Sequence, residues 1–461
     1  MKRRMIMLLL LAFAVALTGC GSNGANAPSG GSNGASGGEK SGNAAKNAQG
    51  ETKEPVKIKF YTYKANKPEE PFVQAVNAFN AMQDEIEVEY VDLVQNNDAV
   101  EFANKLDVLL ASGEKVDVVH TANMDQVVAR AARGVFEPLD DYFKRAGIAP
   151  ADEYVLNPVL DGKTYGMIAT SSQFLVAFNK DILEKSGLPL PQMGWTWNEF
   201  REYAKKMTTA DHYGSYFHTW GEYPNVIAYT ELPHPQLKED MTLQFDHPSY
   251  KYFFELRRAM EKEDKSVQPY EEILASKNHI LQPFFEGKVG MIPVGSFIVR
   301  AGTLLDKFPH EFQMVYAPIP RSPEQTELGL TNISGSFLAM GANSEAKDAA
   351  YTFMRWLSTE GATHLKDIPG WKKADGKQLL GEFFGEHANL IDIDSLSNVL
   401  FHSETKMLPT TVAVPYGSEL KTVVENGFTK YMLDNTTFEE AQTYLIEESQ
   451  KIIDQIGRAH V

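Results

Sequence analysis

The chain has 461 residues, 43% of them apolar, a formal charge of −17 and a single cysteine. That length exceeds what one hydrophobic core usually organises, so two lobes are expected. The acidity disfavours a nucleic-acid partner, because phosphate backbones are repelled, and one thiol excludes both an internal disulfide and a cysteine-based metal cage.

Met1 to Arg4 is basic, Met5 to Leu17 is an apolar run too short to span a bilayer comfortably, and LTGC follows at Leu17 to Cys20. This order resembles a bacterial lipoprotein signal. The resemblance implies that residues 1–19 are a signal peptide cleaved before Cys20, and that several acyl chains on Cys20, palmitate among them, hold the protein on the outer face of the cell membrane. A secretory leader with a stray cysteine at its cleavage site is the simpler alternative. Loss of Lys2, Arg3 and Arg4 with the leader takes the charge from −17 to −20. From Gly21 to Lys53 the chain is Gly, Ser, Asn and Ala with almost no apolar bulk. It cannot offset its ordering entropy, so residues 20–54 read as a lipidated, flexible tether.

The folded body begins at Val56. VKIKFYTY alternates as a first strand and breaks at Lys64 to Pro71; Phe72, Val76 and Phe79 then share one helical face. Glu87–Val91 reads as a strand, Val100–Leu110 as a helix and Val116–His120 as a third strand. This β-α-β-α-β order predicts an α/β, doubly wound lobe whose ligands sit beyond the carboxyl ends of the strands, where Tyr63, Lys64, Asn123 and Asp125 lie.

Next come a GKTYG turn (Gly162–Gly166), a polar loop with Thr170 and Ser172, an apolar strand ending FNKD (Phe178–Asp181), a GLP loop at Gly187, and a helix that Thr196 caps with Glu199 three residues on. Trp220, Glu222 and Tyr223 follow within a few residues, as a core corner with an exposed acid or as a ligand-contacting loop. In FFEGKVGMIPVGSF (Phe284–Phe297) a helix end stops at Gly287, a strand occupies Val289–Val294, and Gly295, Ser296 and Phe297 open the next helix. That corner either packs in a core or offers N–H groups and an aromatic face to a ligand such as a sugar. Leu330–Thr359 reads as a Gly/Ser-rich loop holding Asn332 and Ser334, a strand, and a helix packed by Ala349, Phe353 and Trp356. IPGWKK carries Trp371, Pro409–Leu420 passes Tyr416, and Thr437–Ile453 is a closing amphipathic helix. IGRAHV (Ile456–Val461) interrupts that helix and matches the in-frame translation of a common sequencing adapter, so 456–461 is expected to be a non-native tail. A genomic clone encoding these residues overturns that expectation.

The Phe284–Phe297 stretch and the run from Asp161 to Met207 together resemble the extracellular solute-binding proteins of family 1, which serve bacterial ABC importers of carbohydrates. Phe297 stands where Trp is commoner in that family. The resemblance implies a two-lobed, periplasmic-binding-protein-like fold of type II, each lobe a doubly wound α/β sheet, joined by crossover hinge strands. It divides the body into residues 55–168 plus 322–368 and residues 169–321 plus 369–455. It also implies a non-enzymatic, cofactor-free monomer that captures a carbohydrate, an oligosaccharide by the number of rings, and delivers it to an ABC permease. Phe297, Trp220, Tyr223, Tyr416 and, near the hinge, Trp371 then supply flat faces. Tyr63, Lys64, Asn123, Asp125, Thr170, Ser172, Glu222, Ser296, Asn332 and Ser334 supply polar partners.

The competing reading is a lipid-anchored glycoside hydrolase. Acid pairs such as Asp140 with Asp141 or Asp392 with Asp394 are its only candidates, and solvated faces explain them equally well. Four S-x-x-K matches, at Ser112, Ser344, Ser403 and Ser418, lack the companion motifs of a serine acylase, and the histidines lack H-E-x-x-H spacing.

Overall fold

The first strand, β1 (Val56–Thr62), turns Ile58 and Phe60 into a core while Lys57 faces solvent. The computed structural model describes residues 54–95, 97–408, 414–434 and 436–457; Cys20, the tether up to residue 53 and the last four residues lie outside them. β2 (Ile86–Asp92) and β3 (Val118–Thr121) pair with β1 in parallel. The helix Pro71–Met82 between β1 and β2 buries Phe72, Val76 and Phe79, the face its spacing predicts.

A hairpin of β4 (Val159–Leu160) and β5 (Lys163–Thr164) turns through Asp161 and Gly162, both at positive φ. It feeds β6 (Met167–Asn179), the longest strand described. β7 (Tyr213–Ser215), β8 (Val289–Gly295), β9 (Met314–Pro318), β10 (Leu330–Met340) and β11 (Lys406–Leu408) follow. Hydrogen bonding links them in the order β2-β1-β3-β10-β6-β8-β7, with β9 also on β6 and β11 on β10.

Two large cores lie along this sheet. Ile58, Phe60, Phe79, Phe102 and Phe353 centre the first; Trp197, Phe200, Tyr250, Phe284, Met291 and Phe428 centre the second. Removing each such side chain from water contributes roughly 1.5–3 kcal/mol, so each core is substantial in its own right. β6 gives Met167, Ile168 and Ala169 to the first core and Leu175 to Phe178 to the second. β10 runs antiparallel to β3 through Phe337–Met340 and antiparallel to β6 through Ile333–Leu338. This is the expected two-lobed α/β frame, with β6 and β10 as the strands that cross it.

One local expectation is corrected. Thr170–Gln173 and the Gly/Ser-rich run at 330–335 are not loops but parts of β6 and β10, paired as Ser172 with Ser334 and Ser171 with Gly335. Small hydroxyl residues suggest turns in sequence, yet here they fit a crowded ladder. A Cβ on Gly335 would stand 2.3 Å from the carbonyl oxygen of Thr170, so only glycine allows that approach. Other local signals hold: Thr196 and Glu199 form a reciprocal capping box, and Asn179 caps the helix Lys180–Lys185.

Candidate functional site

The crossing strands carry a row of hydroxyls on one face, because alternate residues of a strand share a side. Thr170 Oγ1 lies 2.8 Å from Ser336 Oγ, Ser334 Oγ donates to the Ser172 carbonyl at 3.3 Å, and Ser296 Oγ donates to Ser172 Oγ at 3.2 Å. Ser296 comes from the end of β8, held by its N–H donating to the Gln173 carbonyl. Asn332 Oδ1 is buried and has no hydrogen-bond partner.

Phe297 stands at the end of this row with 38% of its surface exposed. Its ring folds back over Gly295, where a Cβ would meet it at 2.8 Å and meet Ser172 Oγ at 3.0 Å. Glycine at 295 therefore sets an aromatic face beside the hydroxyls. Arg300, one turn further along the helix Phe297–Ala301, reaches Glu70 at 3.4 Å. Since Glu70 immediately precedes the Pro71–Met82 helix, this pair joins the two cores. Lys64 and Asp367 interact electrostatically with Arg300. Burial, reinforced by Arg300, lowers the Lys64 pKa, and burial raises that of Asp367 against the pull of Arg300.

A second group gathers around Lys421. Its Nζ donates to Glu222 Oε1 at 2.9 Å, and its stem packs on Gly221. Burial alone would push Glu222 up, but the charge and hydrogen bond of Lys421 outweigh it and hold the carboxylate below its ordinary value. Asp125 comes from the first core, on the helix Met124–Ala132, and meets Gly417 of the Gly417–Leu433 helix. Burial raises the Asp125 pKa, Lys421 opposes the rise and Glu222 adds to it. Trp220 is 43% exposed, edge-on to His218.

The remaining candidates have structural partners. Tyr63 is stacked 4.8 Å from buried His120 and has the Lys64 ammonium 4.9 Å from its ring centre, so little of its face is free. Asn123 Oδ1 caps the Met124–Ala132 helix. The sequence reading of Tyr223 and Tyr416 as ligand-facing rings is corrected. Tyr223 lies in the second core with its hydroxyl donating to the Pro293 carbonyl, and Tyr416 is buried in a small cluster with Leu237, Val414 and Leu420. Both rings cover apolar neighbours, which explains their burial. Trp371 packs on the first core and its indole N–H donates to Glu153, which Arg355 and Lys373 also hold. Of the acid pairs, Asp392 caps the helix Ile393–Leu400 and Asp140 accepts from Thr164 N–H.

Arg300, Glu70, Asp367, Lys421 and Ser336 were absent from the sequence reading. Arg300 had a signal, lying three residues beyond Phe297 on one helix. Lys421 had none, being 199 residues from Glu222. Elsewhere, a cavity of about 430 Å³ lies between Asn198, Arg201, Tyr252 and Arg258. Arg201 there is already paired with Glu263 and Asp264, so the pocket offers no free guanidinium from that residue. Among the described residues no cluster of three or more His, Cys, Asp or Glu could hold a metal ion, and no helix is long and apolar enough to cross a membrane.

Residues 65–364 match the family model described as bacterial extracellular solute-binding protein. The chain is 27% identical over 182 residues to the sn-glycerol-3-phosphate-binding periplasmic protein UgpB of Escherichia coli K12, which covers 36% of this chain and 40% of that protein. At best the chain spans about half the length of the curated relatives it matches. Its fold superposes on a sugar transporter structure from Rhizobium etli in an open conformation (TM-score 0.70, 22% identity, 86% of this chain and 99% of that one). It also superposes on an ABC substrate-binding protein of Listeria monocytogenes in complex with cycloalternan (TM-score 0.69, 19% identity, 87% and 99%).

Proposed function

The chain belongs to the bacterial extracellular solute-binding protein family, and from that premise we propose that it captures a carbohydrate between its two lobes and hands it, chemically unchanged, to an ABC permease. The observation that carries this reading is the hydroxyl row of Thr170, Ser172, Ser296, Ser334 and Ser336 beside the exposed ring of Phe297. Sugars present hydroxyls on their edges and C–H groups on their faces, and such a row with one flat ring complements both. Asn332 Oδ1, an acceptor without a partner, adds a place for a ligand hydroxyl. Trp220 and Glu222 supply a ring and a carboxylate from the turn that leads into Tyr223 of the second core. The E. coli relative is named for glycerol 3-phosphate and the Listeria structure holds cycloalternan; the hydroxyl row favours the carbohydrate.

The lobes in this proposal are residues 55–168 with 322–368 and residues 169–321 with 369–455, turning on β6 and β10. Ligand contacts made from both sides bias the open and closed forms, and the permease reads the closed one. The LTGC sequence at Leu17–Cys20 supports a lipid anchor at Cys20 on the outer face of the membrane.

The test is thermal melting of the full chain against mono-, di- and oligosaccharides and polyols, with the mixtures then analysed for products. Saturable stabilisation by a saccharide, without turnover, supports capture. Turnover, or a panel in which no saccharide raises the melting temperature, overturns it.

A further inference from the structure

We propose that His218 is the positioning residue that sets Trp220 for the ligand, and that a proton on this imidazole frees the ring and lowers affinity; this rests on the carbohydrate reading above, in which Trp220 supplies a flat face. Trp220 lies on a bend between β7 and the helix Val226–Glu231, outside any helix or strand. Its orientation therefore depends on individual contacts. Its carbonyl accepts from the N–H of Tyr223, which is buried in the second core. Its own N–H donates to His218 Nδ1 at 3.2 Å, and the imidazole stands edge-on to the indole with ring centres 5.1 Å apart. Gly221, the next residue, lies against the stem of Lys421, where a Cβ would meet Cγ at 2.7 Å. His218 thus holds Trp220 by both backbone and ring.

Both ring nitrogens of His218 are committed. Nδ1 accepts, so it carries no proton; Nε2 lies 3.4 Å from the Asn278 carbonyl oxygen, which can only accept, so Nε2 carries one. The two partners together select the neutral Nε2–H tautomer. An imidazolium has two donors and no acceptor, so its Nδ1–H would point at the Trp220 N–H and the clamp would open. The titratable groups around the ring are Glu222, which is paired with Lys421, His279, which lies beside Asn278 and also feels Lys307, and Tyr216, with its ring centre 6.3 Å away. Burial lowers the His218 pKa from 6.5, and the Asn278 carbonyl and the Glu222 carboxylate oppose it. A clamped imidazole refuses a proton that a released one accepts. The clamp is therefore complete above about 6.5 and is lost as the pH falls below it.

Isothermal titration of the full chain with maltotriose, and with each saccharide that raises the melting temperature in the panel above, is run at about pH 7.5 and about pH 5. Wild type is expected to lose roughly fivefold in affinity at the lower pH. His218→Asn places an Oδ1 that accepts the N–H two residues on and takes up no proton; it is expected to bind within about threefold of wild type at the higher pH and to change less than about twofold between the two. His218→Phe keeps a ring without an acceptor, and is expected to bind at the higher pH as weakly as acidified wild type. Acrylamide quenching of tryptophan fluorescence reads the clamp without any ligand, with Trp220→Phe subtracting the other four of the five tryptophans. The quenching constant of Trp220 is expected to rise about 1.5-fold or more on acidification in wild type and to stay level in His218→Asn. Wild-type affinity that does not change with pH, an equal fall in His218→Asn, or wild-type binding by His218→Phe overturns the proposal. If no saccharide binds, quenching decides: a rise confined to wild type keeps the clamp and only the carbohydrate reading falls, whereas no rise overturns the clamp as well.

Discussion

The Arg300 guanidinium reaches out of the second core to the Glu70 carboxylate of the first, 3.4 Å away, just beyond the corner that displays Phe297. Both side chains are more than three-quarters buried, so the pair is less screened by solvent than a surface ion pair. Because each partner belongs to a different core, the contact favours whichever arrangement brings them together. Arg300→Gln is expected to weaken ligand binding roughly five- to thirtyfold, by about 1–2 kcal/mol, with a smaller loss for wild type in concentrated salt. Calorimetric affinities equal to wild type would show that the pair does not contribute to closure.

Gly295→Ala tests the ring. A methyl there collides with Phe297 and crowds Ser172, so the ring must swing away, at a cost of about 1–3 kcal/mol if the corner stays rigid. Affinity for the saccharide identified by melting should fall about tenfold. Phe297→Ala, at a ring already 38% exposed, should lose similar affinity with a melting temperature within a degree or two of wild type. A Phe297→Ala protein that binds normally removes the ring from the site.

Lys421→Met leaves Glu222, Asp125 and Glu425 facing one another without their shared cation. Destabilisation of about 1–2 kcal/mol is expected, reduced from the fully buried case because Glu222 remains about a third exposed. The added Glu222→Gln change should restore part of it. Chemical denaturation of the single and double variants measures this, and additive losses would mean the two residues are not coupled.

Acid should act in two windows. His234 is buried, its Nδ1 accepting from the N–H groups of Gln236 and Leu237, and burial lowers its pKa from 6.5 to about 4. The unfolded chain thus binds a proton that the folded chain refuses, and stability falls as pH drops from about 6.5 towards 4. Glu153 is held at about 2 rather than 4.5 by hydrogen bonds from Lys373, opposed by burial and aided by Trp371 and Arg355. Its contribution is complete above about 4.5 and is lost as pH falls towards 2. Glu153→Gln should flatten the lower window of a melting-temperature profile and leave the upper one. An unchanged lower window would rule out this network as its cause.

Cys20→Ala is expected to block acylation and leave the protein in the soluble fraction of the cell envelope. Labelling with a palmitate analogue and membrane fractionation read this directly; wild-type partition by the variant would remove the lipid-anchor proposal.

The frame was legible because β1, the Phe72–Val76–Phe79 face and the Phe284–Phe297 stretch carry local signals: alternation, helical spacing, and a left-handed glycine at Gly287 before a strand. The Ser/Thr/Gly runs at 170–173 and 330–335 misled, since pairing between distant strands overrode their turn propensity. At the site, Ser172, Ser296 and Phe297 were visible as a motif. The burial of Tyr223 and Tyr416 was not, because a tyrosine reads the same whether its hydroxyl faces a ligand or donates to Pro293. Charges that meet only in space, Arg300 with Glu70 and Lys421 with Glu222, leave little trace along the chain.

β6 serves both cores, β10 pairs along it, and neither core is built from one unbroken length of chain. No single cut of the gene can therefore release one half as a working fragment. Recombination that exchanges ligand preference has to trade short loops and single side chains, not whole halves.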